Sequence, residues 1–235
     1  MSTITLIGLD GAGKTTIARL LQKSSTRPMK YLYMGTAIGS SNYALPTSRL
    51  MHYLRARKSK HLSIENKQPL RTLKKAKKRG RIGAIFCLVH RLCEEWFRQS
   101  VSWILQMQGY VLLYDRHFIF ECAPDDVADG EPRRLSDRIH FWMLSHVYPR
   151  PEPIFFLDAP PEVLFERKPE ATLEYLEVRR RTYLKLGRQM PNFFRIDATR
   201  TPKQVLADIQ NRIDRIQGDA LKWNKIDKVE GVKGG

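Results

Sequence analysis

The segment from residue 8 to residue 16 constrains this chain more than any other part of its sequence. It satisfies the pattern G-x-x-x-x-G-K-[ST], in which glycines let backbone N–H groups close around a phosphate because no Cβ blocks the approach. The pattern's lysine is suited to contact the β- and γ-phosphates, and the hydroxyl that follows it is suited to bind Mg²⁺. The predicted phosphate-binding residues are Gly8, Leu9, Asp10, Gly11, Ala12, Gly13, Lys14, Thr15 and Thr16.

The residues on either side of this loop supply the strand and the helix that the motif requires. Residues 4–7 form a short apolar run, and the apolar residues between positions 17 and 21 recur at helical spacing. A helix that begins beside the loop directs its first N–H groups and its dipole at the phosphates. The context therefore favours a functional loop over a chance glycine-rich turn.

Strand-like and helix-like segments alternate along the chain, which is typical of a parallel sheet with crossover helices. The length of 235 residues suits one α/β domain with a substantial core. We expect a three-layer α/β/α architecture in which helices flank a five-stranded parallel sheet, within a single domain of residues 1–215. An irregular basic insert is predicted at about residues 36–82, and a flexible polar tail at residues 216–235. Strands are predicted at residues 3–7, 29–34, 110–114, 154–157 and 193–196, and helices at 13–24, 84–107, 136–147, 160–167 and 172–187 and after Pro202.

The composition favours a cytoplasmic protein. No apolar run has the length of a membrane span, and the first predicted strand leaves no room for a signal peptide. The three cysteines and six histidines show no metal-ligand spacing, so we expect buried or neutral thiols in a reducing compartment.

Positive charge is concentrated in one segment of the chain. The formal net charge is +17, and residues 55–81 hold twelve lysines or arginines against one acid, Glu65, a net charge of +11. Such a segment is either a solvated insert or an electrostatic dock for an anionic surface. It contains no aromatic residue for stacking on bases, so weak contact with an acidic membrane is favoured over nucleic acid, and no sequence-specific nucleic-acid binding is expected.

Charged residues also follow two of the predicted strands, where ligands bind in open parallel sheets. Asp115 is suited to hold Mg²⁺ through water or to accept a proton from a hydroxyl, and Arg116 offers a planar cation for a phosphate. Asp158 directly precedes Ala-Pro-Pro, so capping of the next helix and catalysis both stay open there. The basic residues of 166–181 form either a flap over transferring phosphates or an ordinary solvated helix face.

Three separated stretches together resemble thymidylate kinase and its nucleoside-monophosphate kinase relatives. They are LIGLDGAGKTT, LLYDRH and FLDAPPEVLFERK, the last followed by YLEVRRRTYLKL and FRIDATRTPKQVLADI. The resemblance covers the first 25 residues and most of 101–213, in the order that the family has them. It implies a P-loop kinase fold, ATP as co-substrate and Mg²⁺, and it leaves a homodimer open.

The resemblance also implies roles for individual residues. Asp10 would face the acceptor sugar, Asp115 would belong to the Mg²⁺ site with Thr15, and Arg116 would bridge the phosphates of the two substrates. Arg167 would begin the lid beside the adenine, and Arg200 would lie near the same base. The catalytic set implied in this way is Lys14, Asp115, Arg116 and Arg167.

The acceptor half of the chain departs from the family pattern. The family follows its second strand with an Arg-Glu-Pro-Gly-like turn whose arginine holds the acceptor phosphate, whereas residues 34–36 are Met-Gly-Thr. Phe86, His90 and Arg91 are only offset counterparts of the family's base-stacking and base-reading residues, and residues 118–124 replace its glutamine-rich stretch. The donor half therefore matches the family better than the acceptor half does.

Three functions remain open from the sequence. The favoured one is an ATP-dependent, Mg²⁺-requiring kinase for a nucleoside monophosphate, with dTMP as the acceptor that the resemblance implies. The second is a kinase for a hydroxyl acceptor, such as a deoxynucleoside, a sugar or the sugar part of a glycolipid. That acceptor would need Asp115 as a base, because a hydroxyl must lose a proton and a phosphate is already anionic. The third is a P-loop regulator that hydrolyses ATP slowly and has no small-molecule acceptor.

Overall fold

The computed structural model describes residues 2–60, 81–122 and 135–230. Five strands in these ranges form one sheet in the order β2-β3-β1-β4-β5, and every neighbouring pair is parallel. The predicted five-stranded parallel sheet is therefore confirmed, with β1 at its centre. The strands are β1 (Thr3–Gly8), β2 (Met29–Tyr33), β3 (Val111–Asp115), β4 (Ile154–Asp158) and β5 (Phe193–Asp197).

Helices cover both faces of this sheet, so the central strands can be almost entirely apolar. From the central β1 the chain crosses to β2 at one edge of the sheet, and each later strand lies further towards the other edge. Because such connections are right-handed, the helix that connects β1 to β2 and the helices that connect the later strands lie on opposite faces. On one face α1 packs against α8, and on the other α3 packs against α5. The helices are α1 (Lys14–Ser24), α2 (Pro46–Lys60), α3 (Arg81–Met107), α4 (Phe118–Glu121), α5 (Leu135–His146), α6 (Pro161–Arg167), α7 (Leu173–Gly187) and α8 (Pro202–Glu230).

Two stretches are more helical than the sequence predicted. The expected irregular insert at residues 36–82 contains a 3₁₀ turn at Ile38–Ser40 and all of α2, while its residues 61–80 lie outside the described ranges. Pro46 begins α2, because the first position of a helix needs no N–H donor and accepts proline. The expected tail from residue 216 is helical as far as Glu230, since polar residues propagate a helix as well as apolar ones do.

One buried arginine fixes the turn that follows β2. Arg98 of α3 is fully buried and donates to Glu94 at 2.8 and 3.0 Å and to the carbonyl oxygen of Gly35 at 2.6 Å. The same Glu94 carboxylate accepts from the hydroxyl of Ser48 at 2.6 Å and from the N–H of Leu45 at 3.1 Å. This network joins α3 to the residues on both sides of the 3₁₀ turn, and it thereby shapes one wall of the site.

The apolar face of α3 is only partly buried. Leu105 is buried and Trp96 packs against the core, but Ile85 and Val89 are more than half exposed. A helix of 27 residues spans about 40 Å, whereas a five-residue strand spans about 17 Å. The first turns of α3 therefore extend past the sheet. None of the helices in the described ranges is both long and apolar enough to cross a membrane.

Candidate active site

A cleft of about 780 Å³ opens at the carboxyl edge of the sheet, the edge at which such sheets bind ligands. Its lining comes from the phosphate loop, from the ends of β2 and β3, from the 3₁₀ turn and from α4, α6 and α7. The lining residues are Asp10, Gly11, Gly13, Lys14, Thr15, Thr16, Tyr31, Tyr33, Thr36, Ala37, Ser40, Asp115, Arg116, Glu121, Arg167, Lys168, Tyr175 and Arg179.

The phosphate loop has the backbone geometry that its glycines predict. Gly11 and Gly13 have φ angles of 89° and 84°, in the region that L side chains rarely adopt. A Cβ on Gly11 would also lie 2.6 Å from the carbonyl oxygen of Leu164. α1 begins at Lys14 with no side-chain hydrogen bond at its N-cap, an arrangement that suits an anion at the helix terminus. Leu9 and Ala12 are buried beneath the loop.

Lys14 lies buried in this loop, where its ammonium donates to the carbonyl oxygen of Leu9 at 2.8 Å. Burial, followed by repulsion from the Arg116 guanidinium, lowers the pKa of Lys14 to about 8, although Asp10 and Asp115 act in the opposite direction. A phosphate beside the ammonium would stabilise its charged form. An anionic ligand in the cleft would therefore offset the cost of burying this charge.

Asp115 ends β3, and only one of its two carboxylate oxygens has a hydrogen-bond partner among the described residues. Its Oδ2 accepts a hydrogen bond from the hydroxyl of Tyr31, and its Oδ1 is buried without a hydrogen-bond partner among the described residues. Burial and this bond to Asp115 raise the pKa of Tyr31 above its usual value, so the phenol stays a neutral donor. A buried oxygen without a partner is costly, and a hard cation would satisfy it. Thr15 lines the same cleft, so the residues present fit Mg²⁺.

Arg116 lies between two carboxylates. Its guanidinium donates to Asp10 of the phosphate loop and, at 2.8 Å, to Glu121 of α4. Burial alone would lower the pKa of Arg116, but Glu121 and Asp10 outweigh it and raise the pKa above its usual value. The backbone of Arg116 has a φ of 66°, a strained conformation that persists only where the surroundings enforce it. The fold thus holds this guanidinium rigidly against the phosphate loop.

Glu121 is a buried cleft residue that sequence reasoning missed. Besides Arg116, it accepts from the hydroxyl of Tyr183 at 3.2 Å and lies 3.8 Å from the guanidinium of Arg179. Burial alone would raise the pKa of Glu121, but Arg116 and Arg179 outweigh it and hold the pKa below its usual value. Residues 118–124 differ from the resembled family, and that difference was the only signal at this position.

The basic helix α7 has only one of its three consecutive arginines in the cleft. Arg179 lines the cleft, is almost fully buried and lies 4.9 Å from the ring centre of Tyr183. Arg181 instead pairs with Glu177 on an exposed face of the same helix. Each of the two alternatives for this basic stretch thus holds for one arginine, because Arg179 faces the cleft and Arg181 faces solvent.

Asp158 has neither of the roles that its sequence context suggested. It accepts from Arg180 at 2.7 and 3.0 Å and from Arg195 at 2.6 Å, it does not line the cleft, and the N-cap of α6 is Pro160 without a side-chain hydrogen bond. The carboxylate joins α7 to β5. Arg180 and Arg195 thus bind the carboxylate for which the local sequence had suggested helix capping or catalysis.

Arg167 and Arg200 differ in their relation to the cleft. Arg167 lines the cleft edge and donates to the carbonyl oxygens of Ala198 at 2.8 Å and Thr199 at 3.4 Å. Arg200 is paired with Asp208 at 2.7 Å and is not among the lining residues. The structure brings Arg167 to the edge of the cleft but does not bring Arg200 into the cleft.

A second polar cluster lies between α3, α4 and α5. His140 and Glu95 are fully buried and joined at 2.7 Å, and the thiol of Cys122 lies within 4.8 Å of both ligand atoms. The sequence had indicated no such grouping, because the three residues are far apart in the chain. The hydrogen bond between His140 and Glu95 fixes α5 to α3.

Comparisons with known proteins found both sequence matches and structural matches. No protein-family model matches the chain. The thymidylate kinase of Thermosipho melanesiensis is 27% identical over 132 residues, which are 53% of this chain and 63% of that kinase. The match thus spans less than two thirds of that relative.

Two further matches span most of the chain. The thymidylate kinase of Thermosipho africanus is 24% identical over 221 residues, which are 88% of this chain and 95% of that kinase. A solved structure of deoxyadenosine kinase from M. mycoides, with dCMP and dCDP bound, shares 15% identity and covers 91% of this chain and 99% of its own, with a TM-score of 0.49. The two curated matches are thus both thymidylate kinases, and one of them extends over most of this chain.

Proposed function

We propose that this protein transfers the γ-phosphate of ATP to a nucleoside monophosphate, with dTMP as the acceptor that its two curated relatives favour. The observation that carries the proposal is the placement of Arg116 against the phosphate loop. Its guanidinium bonds to Asp10 within that loop, and its charge lowers the pKa of the buried Lys14. A cation for an acceptor phosphate and a cation for the donor phosphates thus lie side by side.

Phosphoryl transfer depends mainly on positioning and on neutralising charge, and the lining residues supply both. The loop N–H groups and Lys14 would hold the β- and γ-phosphates, while Thr15 and Asp115 would hold Mg²⁺. The metal would neutralise charge on the phosphate oxygens. Arg116, fixed by its two carboxylates, would contact both substrates, and Arg167 would contact the donor from the cleft edge.

The charge of the cleft supports two phosphorylated substrates. Five cationic side chains face three carboxylates, a formal excess of +2. A cleft with excess positive charge favours anionic ligands over neutral ones. The cations are Lys14, Arg116, Arg167, Lys168 and Arg179, and the carboxylates are Asp10, Asp115 and Glu121.

A hydroxyl acceptor is the second candidate, and two observations favour it. The Oδ1 of Asp115 is a buried carboxylate oxygen without a hydrogen-bond partner in the described ranges, as a general base for a hydroxyl would be. The wall formed by the turn after β2 presents Thr36, Ala37 and Ser40 and no arginine. A deoxynucleoside or a sugar would need no arginine there.

Measuring ADP release with a series of acceptors separates these candidates. We expect turnover with dTMP, weaker turnover with dUMP, and little with thymidine, deoxyadenosine or simple sugars. Turnover confined to the unphosphorylated acceptors would refute the monophosphate proposal in favour of the hydroxyl acceptor. ADP release that no acceptor stimulates would instead indicate an ATPase-type regulator.

The donor site has its own test. Lys14→Ala should abolish turnover while the far-ultraviolet circular dichroism stays unchanged, because the side chain would contact only phosphates and one carbonyl oxygen. Lys23→Ala, at an exposed lysine in the last turn of the same helix, is the matched control and should keep full activity. Full activity of Lys14→Ala would contradict the assignment of the donor site.

A further inference from the structure

Two neighbouring helices expose apolar stripes to solvent. The three residues on α2 have the spacing i, i+3, i+4, and the four on α3 have the spacing i, i+3, i+4, i+7, so each set lies on one face of its helix. We call these seven residues the α2–α3 surface. They are Leu50, Tyr53 and Leu54, exposed by 58, 62 and 54%, and Ile82, Ile85, Phe86 and Val89, exposed by 86, 62, 65 and 52%.

Contacts near the start of α2 hold the two helices together. The hydroxyl of Ser48 lies 2.6 Å from the Glu94 carboxylate and 3.2 Å from the Nε2 of His90, both on α3. The stretch 82–89 contains no charged residue, although five of its eight residues are exposed. Exposed apolar side chains that are grouped on one face of a helix, unlike scattered ones, indicate a surface that contacts another body.

The charge of the surrounding sequence identifies that body. Between Asp10 and Glu94 the chain has a single acid, Glu65, and residues 55–81, which connect the two stripes along the chain, carry a net charge of +11. On α2 itself Arg57 is exposed. The partner must therefore accept apolar side chains and offer negative charge beside them.

We propose that the α2–α3 surface docks on an anionic lipid bilayer. A bilayer interface offers acyl chains to the apolar stripes and acidic headgroups to the lysines and arginines that lie between the two stripes in the sequence, as amphipathic surface helices require. A second copy in a symmetric contact would oppose two segments of the same strong positive charge. Nucleic acid would satisfy the cations but would leave the aliphatic side chains of Ile82 and Ile85 in water.

The docked surface would adjoin the acceptor side of the cleft. A Cβ on Gly39 of the 3₁₀ turn would lie 3.1 Å from the Nε2 of His52 on α2, so this turn and α2 are in contact. The neighbouring Ala37 and Ser40 line the cleft. Docking through α2 would thus bring this wall of the cleft close to the bilayer. The docking does not depend on which acceptor is phosphorylated, and its test needs no turnover.

Co-sedimentation of the full chain with vesicles tests the proposal. We expect binding to vesicles of phosphatidylcholine with phosphatidylglycerol at low salt, weaker binding at raised salt, and little binding to pure phosphatidylcholine. Leu54→Glu with Phe86→Glu should reduce the partition coefficient by about tenfold or more, because two apolar contacts become anionic. Ile104→Glu with Met107→Glu is the matched control, because these α3 residues lie outside the α2–α3 surface and are similarly exposed, by 49 and 79%.

The contribution of the basic segment is tested separately. Replacing Lys74, Lys75, Lys77 and Lys78 by glutamine should weaken binding to the anionic vesicles and flatten its salt dependence. The apolar stripes are intact in this variant. Unchanged binding with unchanged salt dependence would overturn the electrostatic part of the proposal.

Several outcomes would overturn the docking itself. The unaltered chain would fail to co-sediment at either salt concentration, or it would bind neutral and anionic vesicles equally. Equal losses of vesicle binding in the two double variants would have the same consequence. Sedimentation velocity without lipid adds another: a dimer that only Leu54→Glu with Phe86→Glu dissociates would make the surface a contact between copies. A thermal midpoint lowered only in that variant would mean that the stripes pack within the chain.

Discussion

Replacing Lys14 by methionine should stabilise the free protein while it abolishes catalysis. The ammonium of Lys14 is buried, and its pKa of about 8 lies below its ordinary value of 10.5. Each pH unit of difference corresponds to about 1.4 kcal/mol, so the charged lysine costs the folded state about 3 kcal/mol near neutral pH. Methionine has a similar length and no charge to bury, although it gives up the hydrogen bond to Leu9.

The pH dependence identifies the cause of this stabilisation. Below pH 8 the lysine is charged in both states, and the full cost of burying the charge is present. As the pH rises from about 8 towards 10.5, the folded state loses the proton first, so the unfolded state binds more protons and stability increases. The free energy of unfolding of Lys14→Met should exceed that of the unaltered protein at pH 7, and this difference should shrink by about 2 kcal/mol by about pH 9.5.

Urea denaturation of both proteins across this pH range measures the difference in their free energies of unfolding. The other titrating groups are the same in both proteins, so their contributions cancel. Lys23→Met, at the exposed lysine of the same helix, should show no pH-dependent difference from the unaltered protein. A constant difference between Lys14→Met and the unaltered protein, or one that grows with pH, would refute the reasoning. Saturating ATP with Mg²⁺ should reverse the order of stability, because only the lysine can pair with the phosphates.

Three further substitutions test other parts of the cleft. Asp115→Asn should keep the fold and lower kcat by about a hundredfold or more, because an amide is a poor Mg²⁺ ligand, and a Mg²⁺ titration of the initial rate checks this. Glu121→Gln should lower the free energy of unfolding by about 3 kcal/mol at pH 7, because the buried Arg116 loses a partner. The pKa of Glu121 is held below its usual value by its arginines, so this difference should disappear as the pH falls through the folded-state pKa, which urea denaturation at acid pH measures. Gly11→Ala should lower the free energy of unfolding by about 1–3 kcal/mol and weaken ATP binding, because its Cβ would lie 2.6 Å from a carbonyl oxygen. Gly109 has a similar φ with open space around it, so Gly109→Ala should lower the free energy of unfolding by only about 1 kcal/mol, and thermal unfolding compares the two variants.

The donor half of the cleft could be predicted because its signals are local. A contiguous motif encodes the phosphate loop, and an apolar run that ends in a charged pair encodes the end of β3. Both signals depend on backbone rules that hold within a few residues, so the strands were located to within a residue or two.

The acceptor half could not be predicted because its partners are distant in the chain. Tyr31 meets Asp115 across 84 residues, and Glu121 meets Tyr183 across 62. No spacing rule links such pairs, and only the assembled fold brings them together. Asp158 shows the opposite error, because local prolines suggested a cap while arginines 22 and 37 residues later hold the carboxylate.

The network around Arg116 links these two halves and bears on the choice of acceptor. Asp10 and Glu121 hold the guanidinium rigidly, but they also compete with any phosphate for its charge. A monophosphate therefore has to share Arg116 with two carboxylates, and Glu121→Gln should lower the KM for dTMP while kcat falls because the guanidinium is held less firmly. A neutral hydroxyl acceptor has no charge to share, so its KM should not fall. The direction of the change in KM, rather than the loss of rate, therefore distinguishes the two acceptor classes.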